Sequence, residues 1–222
     1  ITVGKDFKYL CLNQFNEPLM DNRIYKFISY AKDKKIPVMV VTNGLLFGSK
    51  EIVCKLINAS PDNIKISLQV LSPELFLRVR AANSDFNKYK EGIFYFLKTA
   101  ENGGSKITID IACNFLSGIN KVKKFIGLEY GDPSVYGTVN ELRKDIKDFL
   151  RQLADNMPSY KFSDPGIDKY LESVNANYMN DPGMRITEKI SLKIKPFIYG
   201  RKIQDFYPLD KTRPCYSRIL GV

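Results

Sequence analysis

The sequence predicts an α/β fold: a partial (βα) barrel of parallel strands with outer helices. Two observations carry this. Short apolar, β-branched runs alternate with stretches whose apolar residues recur at helical spacing. Polar residues then gather just after successive runs, where βα folds collect ligands.

The elements follow in order. "FKYLCLNQF" (7–15) reads as a first strand. Asp21 then caps a helix to about Lys35, with Ile24, Phe27, Ile28 and Ala31 on its inner face. "IPVMVVTNG" (36–44) is a second strand, apolar enough to be covered on both faces. Ser49 caps the next helix, which groups Ile52, Val53, Leu56 and Ile57. "NIKISLQV" (63–70) is a third strand, and Ser72-Pro73 opens a helix that breaks near Asn83.

A longer helix spans about Asp85 to Glu101, with Phe86, Tyr89, Ile93, Phe96, Leu97 and Ala100 inward, and Gly103-Gly104 ends it. "KITIDIAC" (106–113) is a fourth strand. Thr138 and Glu141 form a capping box before a helix that buries Leu142, Ile146, Phe149, Leu150 and Leu153. "SLKIKPFIY" (191–199) is the last strand, while 114–137 and 155–190 read as long loops.

The 222 residues carry 34 Lys+Arg against 24 Asp+Glu, a net charge of +10, spread over many segments. A dispersed excess favours solubility and does not draw a nucleic-acid groove. Neither a specific nucleic-acid partner nor a membrane partner is expected, since no apolar run approaches the ~20 residues a bilayer needs. There is no His, which removes Ser-His-Asp and Cys-His catalysis and every His-metal site. Cys11, Cys54, Cys113 and Cys215 are far apart and form no C-x-x-C pair. Cys11 and Cys113 in strand-like runs and Cys54 on an apolar helix face read as buried thiols, and a reducing cytoplasm is the default.

The strand ends hold the candidate chemistry. Asn16-Glu17 follow the first strand, Thr42-Asn43-Gly44 the second; Ser67 and Gln69 lie on the third, Asp110 and Asn114 on or after the fourth. A buried carboxylate is costly without a partner, so Glu17 asks for a cation or a ligand. Plainer readings also exist. Glu17-Pro18 suits a helix start, Asn43-Gly44 suits a turn, and Ser67 suits a core hydroxyl partner. Glu17 and Asp110 would also serve as acid and base in an unrelated βα-barrel enzyme.

Four motifs in order resemble the radical S-adenosylmethionine (SAM) enzymes, in the branch with a C-terminal SPASM cluster domain. "NEPLM" (16–20) is similar to that family's G-G-E-P-L-L motif, and "VVTNGLLF" (40–47) to its T-N-G-x-L signature. "KISLQVLSPELFLRVRAANSDFNKYKEGI" (65–93) resembles its fourth strand and the helices that follow. "RPCYSRILGV" (213–222) resembles the opening of the SPASM region.

The resemblance implies a radical SAM-like barrel over 1–200 and a connection toward a SPASM-like region over 201–222. It implies that Glu17 receives the ammonium of SAM, that Ser67 contacts its ribose or carboxylate, that Arg80 reaches the carboxylate, and that Asn16, Asn43 and Gln69 complete the cofactor pocket. The implied activity is that of a metal-binding oxidoreductase, a peptide- or protein-modifying maturase. In it, SAM on a [4Fe–4S] cluster yields a 5′-deoxyadenosyl radical. The family's C-x3-C-x2-C cluster loop is absent from this sequence, and Phe15-Asn16 replace two glycines. Without that loop the chain alone is expected to be inactive. Ile1 at the start and the stop after Cys215 suggest a piece of a longer enzyme. The competing reading is a non-catalytic binding module on the same scaffold.

Overall fold

The computed structural model describes residues 9–12, 17–68, 71–79, 85–113, 139–176 and 183–196. Six strands form one sheet: β1 (Leu10–Cys11), β2 (Val38–Thr42), β3 (Asn63–Leu68), β4 (Lys106–Cys113), β5 (Met184–Arg185) and β6 (Ile190–Pro196). Among the described residues six α-helices accompany them: α1 (Ile24–Asp33), α2 (Lys50–Ala59), α3 (Pro73–Val79), α4 (Phe86–Ala100), α5 (Val139–Asn156) and α6 (Asp164–Ala176). Short 3-10 turns at Pro18–Met20 and Leu45–Gly48 follow the first two strands.

The sheet order is β1-β2-β3-β4-β6-β5, parallel throughout except for β5 against β6. Sequential parallel strands joined by right-handed crossovers place their helices on one side of a sheet. The contacts agree, for α1 meets α2, α2 meets α4, α4 meets α5, and α5 meets α6. The result is an open arc of a βα barrel, with a helix-covered face and a second face.

Alternation along the strands separates the two faces. Val38, Val40, Ile64, Ile66, Ile107, Ile109, Ile190 and Leu192 are buried under the helices. Each such side chain stabilises the fold by about 1.5–3 kcal/mol relative to exposure. The alternate positions Asn63, Lys65, Ser67, Thr108, Ser191 and Lys193 are only half-buried. Strand β2 therefore does not have both faces fully covered, as its composition predicts. Met39 and Val41 stay half-buried because the helices lie on one side.

Several local expectations need correction. Asp21 does not cap α1; Arg23 holds the N-cap position, and Asp21 instead accepts from the Arg23 N–H (2.9 Å) and pairs with its guanidinium. Phe27 is exposed while Ile24, Ile28 and Ala31 are buried, since the contact stripe of α1 is narrower than its apolar content. Cys11 and Cys54 are exposed, not buried. In α2 the inward stripe runs through Val53 and Leu56, and Cys54 is turned away from it. The tract 155–190 is not all loop, for it contains α6 and β5. Asp164-Pro165-Gly166 resembles a turn in sequence, but proline is tolerated in the first turn of a helix. Burial of Ile167, Tyr170 and Leu171 then holds α6 in place.

Other boundaries match closely. Ser49 caps α2 through the Ile52 N–H, and Asp85 caps α4 through the N–H groups of Asn87 and Lys88. The inward residues expected on α5 are all buried. Thr138 and residues 114–137, 197–199 and 201–222 lie outside the described residues.

Candidate functional site

The turn after β2 is built from its own sequence. The Asn43 side-chain oxygen accepts from the Leu45 N–H (2.9 Å), and the Thr42 hydroxyl oxygen accepts from the Gly44 N–H (3.1 Å). Gly44 sits at φ +74°, and a Cβ there would meet Ile93 Cδ1 at 2.5 Å. Side chains are strained in that backbone region, so glycine is needed on two counts. The turn also docks on α4 at Gly92, where a Cβ would fall 2.7 Å from the Gly48 nitrogen and 2.8 Å from the Phe47 carbonyl carbon. Stacking of Phe47 on Phe96, with ring centroids 4.1 Å apart, seals this contact.

Glu17 is clamped onto this turn. Its Oε1 accepts from the Thr42 hydroxyl (2.6 Å) and from the Leu19 N–H (3.3 Å). Its Oε2 accepts from the Asn43 N–H (2.8 Å). The half-buried carboxylate thus finds neutral donors, not the cation or ligand that its cost suggests. It also serves as N-cap of the short turn Pro18–Met20, which agrees with the plainer reading of Glu17-Pro18. The two roles are compatible. A carboxylate offers about four acceptor sites, and three are used, so Oε2 retains room for one more donor. No described residue supplies an ion-pair cation to Glu17.

Ser67 lies at the same end of the sheet but on the other face. Thr42 pairs in register with Ile66 on the helix-covered side, and Ser67 is the next residue, facing away. Ser67 is level with Asp110 on β4, which is level with Lys193 on β6. Asp110 is 6% exposed and approaches Lys65 Nζ at 3.8 Å. The structure therefore joins Glu17 to Asn43 and places Ser67 with Asp110. It does not bring those two pairs into contact as one cluster. Asn16, Gln69, Arg80 and Asn114 lie outside the described residues.

Two contributors were not singled out from sequence. Tyr89, assigned only to the apolar side of α4, donates its hydroxyl to the Asn43 carbonyl (3.0 Å) and so steadies the turn from below. A phenol among Phe and Ile residues is itself a hint, because a buried hydroxyl needs a partner. Lys65, the partner of Asp110, gives no such signal in a strand of alternating character.

An iron–sulfur cluster does not fit the described residues. Cys11 belongs to β1, Cys54 to α2 and Cys113 to β4, while Cys215 lies outside the described residues. Among the described residues no group of three His, Cys, Asp or Glu could hold a metal. Likewise no described helix is long and apolar enough to cross a membrane.

No protein-family model matches this chain, and no curated protein matches it. Among solved structures it is similar to the crystal structure of archaeal TYW1, with a TM-score of 0.38, 18% identity, and coverage of 69% of this chain and 51% of that one. It is also similar to a structure of TYW1 with a lysine-pyruvate adduct bound, with a TM-score of 0.40, 16% identity, and coverage of 69% and 52%. The chain spans about half the length of the TYW1 chains it matches. Likeness at this level carries no assignment of chemistry, which rests on the strand-end residues.

Proposed function

We propose that this chain is the core of a radical SAM enzyme, and that the end of its sheet receives the amino-acid part of SAM. One observation carries the reading. The half-buried Glu17 carboxylate is held by a hydroxyl and two N–H groups and has no ion-pair cation among the described residues. A carboxylate fixed in this way is a receptor for an ammonium, with a charge-assisted bond stronger than a neutral one. Asn43 shapes the rim; Ser67, at the same end of the sheet but on its other face, would meet a different part of SAM from Glu17, and Asn16, Gln69 and Arg80 are the further candidates.

The described residues offer no thiolate set for a [4Fe–4S] cluster. The work assigned to this chain is therefore binding and orienting SAM and a peptide or protein substrate, in the cytoplasm. The SPASM-type maturase role belongs to this same proposal.

The test is calorimetric titration of SAM into the full chain and its Glu17→Gln variant. Glutamine keeps the shape and can still accept from Thr42, but it loses the charge. We expect the variant to bind SAM about tenfold or more weakly. Equal binding by both proteins, or none by either, overturns the reading. A non-catalytic scaffold is the second reading, favoured by the three neutral donors that already satisfy Glu17. It predicts that Glu17→Gln lowers the melting temperature and that SAM has no effect on either protein.

A further inference from the structure

The second face of the sheet carries cations of two kinds. The Lys65 ammonium lies near Asp110, a buried carboxylate on the neighbouring strand. Lys193 and Arg185 differ: neither side chain makes a hydrogen bond or an ion pair with a described residue.

Their placement follows from strand register. Arg185 on β5 is directly opposite Ser191 on β6. Residues opposite each other in an antiparallel pair share a face, and so do residues two apart on one strand. Arg185, Ser191 and Lys193 therefore stand together on the second face, Arg185 exposed and the other two half-buried, with the two cations diagonal to each other. Diagonal neighbours lie about 7–8 Å apart, within reach of long side chains. Like charges so placed repel unless something offsets them.

The Lys193 stem is held down. Gly183 sits at φ +79°, and a Cβ there would lie 3.0 Å from Lys193 Cγ and 3.1 Å from its Cε. The residue before β5 thus leaves the lane in which the Lys193 chain runs. Asp110, the carboxylate in register with Lys193, is the one that Lys65 approaches.

We propose that Arg185, Lys193 and Ser191 form a binding site for a small oxyanion, the carboxylate or phosphate group of a ligand. The guanidinium fork would grip two oxygens and the ammonium would add a point charge, while the Ser191 hydroxyl, which donates to the Ile107 carbonyl at 3.5 Å, would turn from that long bond to the ligand. The site is independent of Glu17, so either reading can fail without the other.

The test uses the full chain with its lysines reductively methylated with a 13C label, titrated separately with inorganic phosphate and with acetate. The Lys193 signal is identified by its loss in Lys193→Arg. It is expected to shift saturably, with a dissociation constant on the order of millimolar, while exposed lysines shift linearly. Arg185→Gln is expected to weaken that saturation by about tenfold and leave the melting temperature unchanged. Saturation by phosphate alone assigns a phosphate-bearing ligand, by acetate alone a carboxylate, and by both a general oxyanion site. A linear Lys193 response to both ions overturns the proposal, as does a response insensitive to Arg185→Gln in a folded protein.

Discussion

Two polar clusters of this protein treat charge in opposite ways. Between α5 and α6, Asp164 and Asp168 are surrounded by Lys147, Arg143 and Arg151, with N–O distances from 2.9 to 3.6 Å. At the end of β2, Glu17 meets only neutral donors among the described residues. With Asp148, which pairs with Arg151 at 3.1 Å, three carboxylates meet three cations, and the first cluster cancels its charge in place. The second fixes a carboxylate without cancelling it. Solvated ion pairs contribute little to stability, whereas a charge positioned by N–H and O–H groups stays available to a ligand. The difference separates a polar cluster that knits two helices from one that, on the proposed reading, receives a ligand.

The comparison breaks first if the turn that carries Glu17 is not rigidly seated. Gly92→Val would drive a side chain into the backbone of Phe47 and Gly48, which cannot rotate away. We expect destabilisation of about 3 kcal/mol, read as a lower urea midpoint. An unchanged midpoint would mean that the turn yields.

A smaller effect sharpens the contrast directly. Thr42→Val removes the hydroxyl bond to Glu17 in a buried position and should cost about 2 kcal/mol. Asp168→Ala, in the ion-paired cluster, should move the thermal midpoint by no more than the scatter of replicate melts. A larger loss at Asp168 than at Thr42 would invert the comparison.

The smallest effect concerns Asp21. The Arg23 guanidinium and N–H that bond it hold its carboxyl at about 2, against the usual 3.8. A depressed acid contributes stability above its unfolded value, and that contribution is lost as pH falls through the folded one. The window therefore lies between about pH 4 and pH 2. The pair is open to solvent, so the change in stability is slight. A carboxyl-carbon NMR titration should nonetheless show a midpoint near 2, and Arg23→Gln should return it toward 3.8.

Much of the scaffold was legible because local rules and tertiary packing agree. The bounds of β4 follow from "KITIDIAC", and the cap at Asp85 and the glycines after α4 mark that helix at both ends. Where local and tertiary preferences part, sequence reading failed. Phe27 belongs to the apolar set of α1 yet faces solvent, and Asp164-Pro165-Gly166 opens a helix inside the tract 155–190 that reads as a loop. Of the candidate site, Glu17, Asn43 and Ser67 were found from their places after or near the ends of strands. Thr42 and Asp110 were found in the same way, but the pairing of Glu17 with Thr42 was not, because the two are 25 residues apart in sequence.

By itself the sequence determined the alternation of strands and helices, the absence of histidine chemistry, and the gathering of polar groups at strand ends, since each depends on residue type and spacing alone. Only the tertiary structure decided that Glu17 is satisfied by neutral donors, and that Ser67 faces away from it beside Asp110. It likewise placed Arg185 and Lys193 together without a carboxylate between them. Register and sheet order set these relations, and contacts between residues distant along the chain leave no mark in local periodicity.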